Sequence, residues 1–419
     1  MAARMVSPSA EAALADGNAL AQRAYETVAF YKKRGSFPGS LSALPLLSKR
    51  DIATTLPKAW FEDGKDARSL LAAGEVALVE TAGTSGERAR VLWDKGWWEA
   101  RELAALREHP TARAAVDAPA YQEAVLAAPT RGMGSCHSGD PTYEERLEGH
   151  RLHLNSRQDP TYWTPVVMAR MLDELERQKT VGLVADPMYL ATLARFAAEG
   201  NRTLAVSGFC ALTHSLATPA QRAAIRAVYK GPLFELYATR ETGPLFVERE
   251  DGVHRAVAGA AVIELVPLSV PTPGAERVVA IVATPTSRPT MPLLRYVVGD
   301  LAQAHPTESG ALASHEGRAE DVIVRPDGAW VTAGALGRAL APLGPAVSVQ
   351  ATQRDAASVE IDVVGAPAAA VRDAVAHLYE GLALAVRDAT ALAVEPSGRF
   401  RPSRRNFPID LRAALEERR

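Results

Sequence analysis

The stretch Thr81-Ala-Gly-Thr-Ser-Gly-Glu87 directly follows an apolar run, Val76-Ala-Leu-Val-Glu80, and together they predict a strand that opens into a loop. The loop holds two glycines and three hydroxyl residues. Glycines let a backbone close around phosphate oxygens, and the N–H groups of such a loop supply positive potential. The spacing and the lysine of a Walker P-loop are absent. By itself the loop indicates either a phosphate site or an ordinary turn, so the rest of the chain has to decide between them.

Composition places the chain among ordinary globular proteins. Its 419 residues are more than one hydrophobic core usually serves, which predicts two or three domains. The formal net charge of -2 does not indicate nucleic acid as a partner, and no apolar run approaches the roughly 20 residues that cross a bilayer. The only cysteines, Cys136 and Cys210, exclude a disulfide framework, and the N-terminus lacks the apolar core of a signal peptide. We therefore expect a cytoplasmic protein with no membrane partner.

The middle of the chain alternates between strand-like and helix-like segments. This order predicts βαβ units in a mainly parallel sheet. Ligands of such sheets bind beyond the carboxyl ends of the strands, where we expect the loops 207–211 and 238–241. The predicted strands are 124–128, 181–185, 203–207 and 233–237, and the predicted helices are 164–178, 188–199 and 219–228.

The two ends of the chain have a different pattern. A helix is predicted over 9–33, a hairpin over 76–80 and 91–93, and a second helix over 96–108. Short β-rich runs with Pro and Gly breaks between 262 and 301 are typical of antiparallel strands. A hinge is predicted at 317–325, followed by a smaller α+β unit with strands near Val322, Val347 and Val359 and a helix over 367–385.

Four later segments carry groups that would complete a nucleotide site. Tyr237-Ala-Thr-Arg-Glu241 follows a strand and offers a ring for a base and a carboxylate for Mg²⁺. Arg295-Tyr-Val-Val-Gly-Asp300 ends a β segment with a carboxylate that can accept both hydroxyls of a ribose. Gly317-Arg-Ala-Glu-Asp321 offers an arginine for phosphate or ribose oxygens, and Ser397-Gly-Arg-Phe-Arg401 is a small basic loop.

In this order and spacing, the five segments resemble the motifs of the ANL adenylate-forming superfamily, particularly its phenylacetate-CoA ligase-like branch. Leu44-Pro-Leu-Leu-Ser-Lys-Arg-Asp51 resembles the entry segment of that branch. The resemblance implies an α/β fold with a large N-terminal adenylate-forming domain, which has mainly parallel sheets and a β-rich subdomain. It also implies a small, mobile α+β C-terminal lid domain. The domains would cover 1–316, which binds ATP and the acid, and 317–419.

The resemblance also implies a role for each matching residue. Glu241 would bind Mg²⁺, Asp300 would hold the ribose, Arg318 would contact ribose or phosphate, and Glu320 would be the hinge residue. The β- and γ-phosphates of ATP would lie against Thr81, Gly83, Thr84, Ser85 and Gly86. Adenine would be bordered by Gly208, Phe209 and Cys210 on one side and by Tyr237, with Ala238 and Thr239, on the other.

The chemistry that the resemblance implies has two steps. A carboxylate attacks the α-phosphorus of ATP and releases pyrophosphate, and the acyl group of the adenylate then passes to a nucleophile. The implied substrate is a small aromatic carboxylic acid, and the implied acceptor is coenzyme A. Two alternatives stay open: a stand-alone adenylating enzyme that acylates an amine, a carrier-protein thiol or a protein cysteine, and a catalytically silent nucleotide-binding protein. Whether the chain forms a homodimer is also open.

Three departures from the family pattern concern cations. The phosphate loop lacks the usual lysine, and Arg88 and Arg90 stand nearby as substitutes. Arg240 occupies a position where a hydroxyl residue normally touches the α-phosphate, and it brings a full charge and a bidentate fork. Arg399 stands where the family has the lysine that activates adenylation. We therefore expect Arg240, Glu241 and Arg399 to be the catalytic residues.

The acid pocket has the least specific signal. By the family layout we expect it to include Cys136, His137 and Ser138, together with Ala211 and His214. The alternative that Cys136, His137, Cys210 and His214 bind Zn²⁺ is not excluded, although their spacing does not match a CxxC-type site.

Overall fold

A computed structural model of the chain describes residues 8–55, 59–80, 89–129, 141–157, 159–288 and 290–416. The helices are α1 (Pro8–Thr27), α2 (Ala29–Lys32), α3 (Lys49–Thr55), α4 (Ala67–Ala72), α5 (Trp97–Leu106), α6 (Pro110–Val116), α7 (Pro165–Gln178), α8 (Pro187–Glu199), α9 (Pro219–Val228), α10 (Ala333–Leu340) and α11 (Ala368–Val375). The first ten strands are β1 (Val76–Glu80), β2 (Arg90–Asp94), β3 (Glu123–Leu126), β4 (Leu147–Glu148), β5 (Arg151–His153), β6 (Gly182–Ala185), β7 (Phe209–Leu212), β8 (Leu233–Thr239), β9 (Gly243–Glu248) and β10 (His254–Ala256). The others are β11 (Ala261–Pro267), β12 (Val278–Pro285), β13 (Tyr296–Ala304), β14 (Leu312–Arg318), β15 (Ile323–Val324), β16 (Trp330–Val331), β17 (Ser348–Gln353), β18 (Ser358–Val364), β19 (Ala383–Asp388) and β20 (Ser403–Arg405).

One mixed sheet of 12 strands runs through the larger part of the chain, in the order β11-β12-β13-β14-β10-β9-β8-β7-β6-β3-β5-β4. Strands β5, β3, β6, β7 and β8 lie side by side in this order and run parallel to one another, as the alternating pattern predicts. Strand β9 turns back against β8, and the strands from there to β11 pair antiparallel. The predicted α/β class, with its β-rich region, is confirmed.

The helices on the parallel half begin where their sequence predicts. Proline stands at the first turn of α7, α8 and α9, where its missing N–H costs nothing. The side chains of Thr164, Asp186 and Thr218 cap these helices by accepting a backbone N–H. Apolar residues of all three helices pack with β3, β6 and β7 in one buried cluster. This core fixes the carboxyl ends of the parallel strands in space.

Two sequence predictions of secondary structure are wrong. The run 203–207 is not a strand; the strand is Phe209–Leu212, whose Cys210 N–H donates to the Pro232 carbonyl at 2.9 Å. The helix predicted over 367–385 ends at Val375 and is followed by strand Ala383–Asp388. Both segments are rich in small apolar residues, which do not by themselves determine the secondary structure. Hydrogen bonds to strands far along the chain decide where the strands form.

The N-terminal region is attached to the antiparallel half of the sheet. Strands β1 and β2 form the predicted hairpin, a two-stranded sheet of its own. The backbone of Leu47 exchanges hydrogen bonds with that of Arg295 and Val297 at 2.9 and 2.8 Å. The Tyr31 hydroxyl donates to the Pro292 carbonyl at 2.9 Å. These contacts hold the entry segment, and α3 behind it, beside β13.

The C-terminal part has its own four-stranded sheet, in the order β19-β18-β17-β20. Its apolar residues form a separate buried cluster with α10 and α11. The division at residue 317 stays a prediction, because β14 and the 3₁₀ turn Ala319–Asp321 continue the chain across it without a gap. No helix among the described residues has the length and apolar content that a membrane span requires.

A buried ion pair in the parallel half offers a test of the core. Arg146 is 1% exposed and donates to Glu174 and, at 2.8 Å, to the His153 carbonyl. We expect Arg146→Met to lower the free energy of unfolding by about 3 kcal/mol, because it leaves a buried carboxylate with fewer partners. The control Arg177→Met breaks the exposed pair with Glu144 and should cost less than about 1 kcal/mol. Urea titration measures both, and equal losses would contradict the prediction.

Candidate functional site

A cavity opens at the carboxyl ends of the adjacent parallel strands β7 and β8. It encloses about 740 Å³, part of it open to solvent. This is the position where parallel sheets bind their ligands. The parts of the chain that line it are 212–216, after β7; 235–238, in β8; 300–301, 315, 317, 318 and 321, from β13, β14 and the turn that follows; and 333, 399, 400 and 402, from the C-terminal part.

Three of the predicted nucleotide-binding residues meet in this cavity. The Tyr237 hydroxyl donates to Asp300 Oδ2 at 2.7 Å, and Arg318 Nε lies 3.4 Å from Asp300 Oδ1. Burial raises the pKa of Tyr237 well above its usual value, and the negative charge of Asp300 raises it further. The hydroxyl therefore stays protonated and donates the hydrogen bond to Asp300. Burial alone would lower the pKa of Arg318, but nearby carboxylates, Asp300 first, outweigh it and raise it.

Asp300 and Arg318 each have one buried polar atom that can form a hydrogen bond with a ligand. Within the described part of the chain, Asp300 Oδ1 and Arg318 Nε have no hydrogen-bond partner, although they form an ion pair. Leaving such atoms unsatisfied costs about 1–3 kcal/mol each. A vicinal diol that donates to one atom and accepts from the other would satisfy both. The pair therefore fits the ribose of a nucleotide.

The ring of Tyr237 lies against that of His315, with the centroids 4.4 Å apart and the planes 19° from parallel. Burial lowers the pKa of His315 to about 3, so the imidazole is neutral at pH 7. One face of the tyrosine ring is thus covered by a neutral aromatic ring. This contact fixes the orientation of Tyr237 at the cavity wall.

Glu241 lies next to the cavity with 7% of its surface exposed. The Tyr296 hydroxyl donates to Glu241 Oε1 at 3.1 Å, and the guanidinium of Arg288 donates to the Glu241 carbonyl. Arg288 is fully buried, and burial lowers its pKa to about 10. Backbone and side chain of Glu241 are therefore both held in place. A single buried carboxylate of this kind is the usual protein ligand of a nucleotide-bound Mg²⁺.

Arg240 lies where β1 leads into the Gly/Ser/Thr loop. Its guanidinium donates to the carbonyl of Glu80, the last residue of β1. The indole N–H of Trp93 donates to the Arg240 carbonyl at 2.7 Å. Burial lowers the pKa of Arg240, but the group keeps its charge at pH 7. A cation is thus placed at the base of the loop that the sequence predicts to bind phosphate.

Arg399 reaches the cavity on a turn of the C-terminal part. The Tyr189 hydroxyl of α8 donates to the Gly398 carbonyl at 2.6 Å, which ties this turn to the parallel half. Behind it, Arg401 donates to Asp321, and the Ser403 hydroxyl donates to the Asp321 carbonyl at 2.6 Å. The turn of Arg399 and the turn that follows β14 are therefore joined.

Lys49 is a further cation near the acids of the site, and it is not among the residues that the motifs indicate. It begins α3 and is half-buried, and burial lowers its pKa. The charges that raise its pKa include those of Glu241, Glu320 and Asp300, so the ammonium group lies within the field of the site's acids. The sequence does point to this region, because Lys49 belongs to the Leu44–Asp51 segment that resembles the family's entry segment.

Apart from the four residues 208–211, the predicted site residues divide into three groups. Tyr237, Ala238, Asp300, Arg318, Arg399 and His214 line the cavity. Arg240, Glu241, Thr239 and Glu320 are close in sequence to lining residues but are not lining residues themselves: Thr239 bonds to Thr242 within the turn after β8, and Glu320 is in the turn after β14. Thr81, Gly83, Thr84, Ser85, Gly86 and Arg88, as well as Cys136, His137 and Ser138, lie outside the described residues.

The placement of the residues around Cys210 requires a correction. Phe209, Cys210 and Ala211 are fully buried within β7, and Gly208 packs against Val181 before the strand begins. None of the four lines the cavity; the segment 212–216 at the other end of the strand does. The cause is the shift of the strand from 203–207 to Phe209–Leu212.

Zinc binding by the Cys136, His137, Cys210 and His214 set does not gain support. Cys210 is fully buried within β7, whereas Cys136 and His137 lie outside the described residues. His214 lies beyond the end of the strand at the cavity, with a φ of 76° that is unusual for a residue other than glycine.

Solved structures with a similar fold are known. No protein-family model matches the sequence, and no curated protein matches it. A 2-hydroxyisobutyryl-CoA ligase with a bound acyl-AMP superposes with a TM-score of 0.65 at 17% identity, over 93% of this chain and 88% of that chain. This chain has the fold of the ANL adenylate-forming enzymes. The ANL fold that the motifs predict is thereby confirmed.

Two further structures share the ANL fold over less of this chain. An anthranilate CoA ligase, AuaEII, in complex with anthranoyl-AMP has a TM-score of 0.54 at 15% identity, over 78% of this chain and 66% of that one. ATP-bound MatB from Rhodopseudomonas palustris has a TM-score of 0.50 at 14% identity, over 81% and 72%. The fold is therefore shared with CoA ligases of different acids.

The 2-hydroxyisobutyryl-CoA ligase has also been solved in other states. Its thioesterification state gives a TM-score of 0.55, lower than the 0.65 of its postadenylation state. Both comparisons cover more than nine-tenths of this chain.

The corrected position of Gly208 gives a test. A Cβ at this residue would lie 2.8 Å from the Val181 carbonyl oxygen, too close for any side chain. We expect Gly208→Ala to lower the free energy of unfolding by about 1–3 kcal/mol, as overpacking does. The control Gly200→Ala meets its nearest atom at 3.7 Å and should have little effect. Thermal unfolding followed by circular dichroism compares them, and similar melting temperatures would contradict the assignment.

Proposed function

We propose that this protein is an AMP-forming acid-CoA ligase, which activates a carboxylic acid as its adenylate with ATP and passes the acyl group to coenzyme A. The observation that carries the proposal is the group of Tyr237, Asp300 and Arg318 in one cavity at the carboxyl ends of β7 and β8. Its unsatisfied buried atoms match a ribose, and the fold is that of enzymes that form acyl-adenylates.

In this proposal the ATP runs from the cavity toward the loop after β1. The base lies between the ring of Tyr237 and the segment 212–216, and the ribose diol lies on Asp300 and Arg318. The phosphates point toward Arg240 and the loop that begins at Thr81. Glu241 would hold Mg²⁺, which supplies charge neutralisation for the phosphates when bound. Attack of a carboxylate on the α-phosphate brings two anions together, so cations near that atom lower the barrier.

Three cations are available for this step. Arg240 lies at the base of the phosphate loop, Lys49 comes from the N-terminal segment, and Arg399 comes from the C-terminal part. Arg399 in place of the usual lysine keeps the charge but spreads it over a planar group. We propose that Lys49 supplies the compact ammonium that the C-terminal turn lacks.

The acid that we propose is small and aromatic, as the resemblance to the phenylacetate-CoA ligase-like branch implies. Anthranilate is the aromatic acid of AuaEII, whereas 2-hydroxyisobutyrate is not aromatic, so the fold accommodates both kinds. A different acyl acceptor, an amine or a protein thiol, remains the first alternative, and a silent nucleotide-binding protein is the second.

The decisive experiment measures pyrophosphate release from ATP and Mg²⁺ with a panel of aryl and hydroxyalkyl acids, with and without coenzyme A. We expect release that depends on an aryl acid and a thioester detectable by mass spectrometry. Asp300→Asn should raise the KM for ATP by about 10-fold or more, since a charged hydrogen-bond acceptor is lost. Release without thioester would favour another acceptor, and no acid-dependent release would contradict the ligase.

Arg240 can be tested by the residue type that the family pattern has there. We expect Arg240→Ser to lower the kcat of adenylation by about 100-fold, because the developing charge at the α-phosphate loses a cation. ATP binding by isothermal titration should weaken much less. Arg107→Ser, at an exposed cation that pairs with Asp117, is the matched control. Full adenylation by Arg240→Ser would refute the role.

Lys49 can be tested through pH. Burial lowers its pKa, so it loses its charge at a lower pH than an ordinary lysine, and activity should fall on the alkaline side. Lys49→Arg should move that fall to higher pH, because arginine stays protonated. Lys49→Met should lose about 10- to 100-fold in kcat/KM for ATP, whereas Lys33→Met, at an exposed lysine, should not. An unchanged alkaline limb in Lys49→Arg would contradict the role.

A further inference from the structure

A second cluster of ligating side chains lies behind the tyrosine of the cavity. Glu235 is in β8, His254 in β10 and His315 in β14, on strands that are close neighbours in the mixed sheet. One oxygen or ring nitrogen of each residue lies within 4.8 Å of the other two. His254 Nε2 and Glu235 Oε2 are 3.3 Å apart. Neighbouring ligand atoms of a tetrahedral zinc ion, with bonds of about 2.0–2.1 Å, are separated by about 3.3 Å.

The histidines of this cluster have polar atoms that the described residues do not satisfy. His315 is 9% exposed, and neither of its ring nitrogens has a hydrogen-bond partner in that part of the chain; His254 Nδ1 is in the same situation. The neighbours of the His315 ring are the rings of Tyr237 and His254, with centroids at 4.4 and 4.8 Å. A buried imidazole always has a lone pair or an N–H to satisfy. These ring nitrogens can therefore act as metal ligands.

Arg222 occupies only one of the two carboxylate oxygens of Glu235. Its guanidinium donates to Glu235 Oε1 at 2.9 Å and to Glu248 at 2.6 Å. The other oxygen, Glu235 Oε2, faces His254 Nε2. A metal ion bound between Oε2 and the histidine nitrogens would leave Arg222 in place.

We propose that Glu235, His254 and His315 form a zinc site. Two imidazoles and one carboxylate suit Zn²⁺, and this donor set leaves a fourth position open. Glu235 and His315 both line the cavity, so the fourth ligand, a water molecule or a group of a bound ligand, comes from there. The ion holds His315 flat against Tyr237 and so stiffens the wall on which the base lies. Binding would require the ligand atoms, which lie within 4.8 Å of one another, to approach the separation of about 3.3 Å of a zinc site.

The site is tested on the full chain without ATP. The protein is stripped with a chelator, loaded with Zn²⁺, passed through gel filtration and analysed for metal; we expect about one zinc per chain. The Co²⁺-loaded protein should show the intense visible absorption of a four-coordinate site, which needs no variant. In His254→Asn/His315→Asn, zinc retention should fall by about 10-fold or more.

Matched controls separate this site from others. His109→Asn replaces another buried histidine, which stacks on Phe234, and should retain zinc if the cluster is the site. Glu241→Gln, which removes the proposed Mg²⁺ ligand, should also retain it, so the outcome is independent of the ligase proposal. The proposal is overturned if the wild-type chain retains no zinc. It is equally overturned if zinc is lost from Cys136→Ser/His137→Asn but kept by the cluster variant.

Discussion

Arg318 compensates the acidic residues on which the cavity is built. It ends β14 directly opposite Asp300 in β13, and the charges of Asp300, Glu320 and Glu241 all raise its pKa against the effect of burial. Negative charges in one buried site repel one another, and a cation among them offsets that repulsion. The same residue leads into the turn that begins the C-terminal part. The proposed ligand site and the connection between the two parts therefore share one guanidinium.

The other cations of the site come from distant places in the chain. Lys49 follows a segment whose backbone is bonded to β13 through Leu47, and Arg399 follows a turn bonded to α8 through Gly398. Each cation is thus carried by an element whose main-chain atoms are bonded to the larger part of the chain, through β13 for Lys49 and through Tyr189 of α8 for Arg399. The sheet supplies the acids and the aromatic ring, and the two ends of the chain supply positive charge. The site is complete only when all three regions are folded together.

The sequence predicts those residues of the site that lie within short motifs. Tyr237 and Asp300 each belong to such a motif on a strand, and the order of the strands in the sheet brings the two residues together. The prediction for the segment around Cys210 is wrong because two neighbouring apolar runs, 203–207 and 209–212, both fit a strand. Hydrogen bonds to residues far along the chain determine which of the two runs forms the strand. No pattern could predict that Glu235, His254 and His315 meet, since the antiparallel half of the sheet alone brings them together. The sequence places Lys49 in the entry segment, but only the structure shows that it lies near the acids of the site.

The bond from Tyr189 to the Gly398 carbonyl has a consequence for how the chemistry of this fold can vary. This hydrogen bond is made to a main-chain carbonyl, so it does not depend on the side chain at the next position, 399. Whatever residue occupies position 399 is presented at the same point of the cavity wall. Replacing one cation by another there alters the shape and proton affinity of the charge without disturbing its delivery. The architecture separates where a charge is placed from what kind of charge it is.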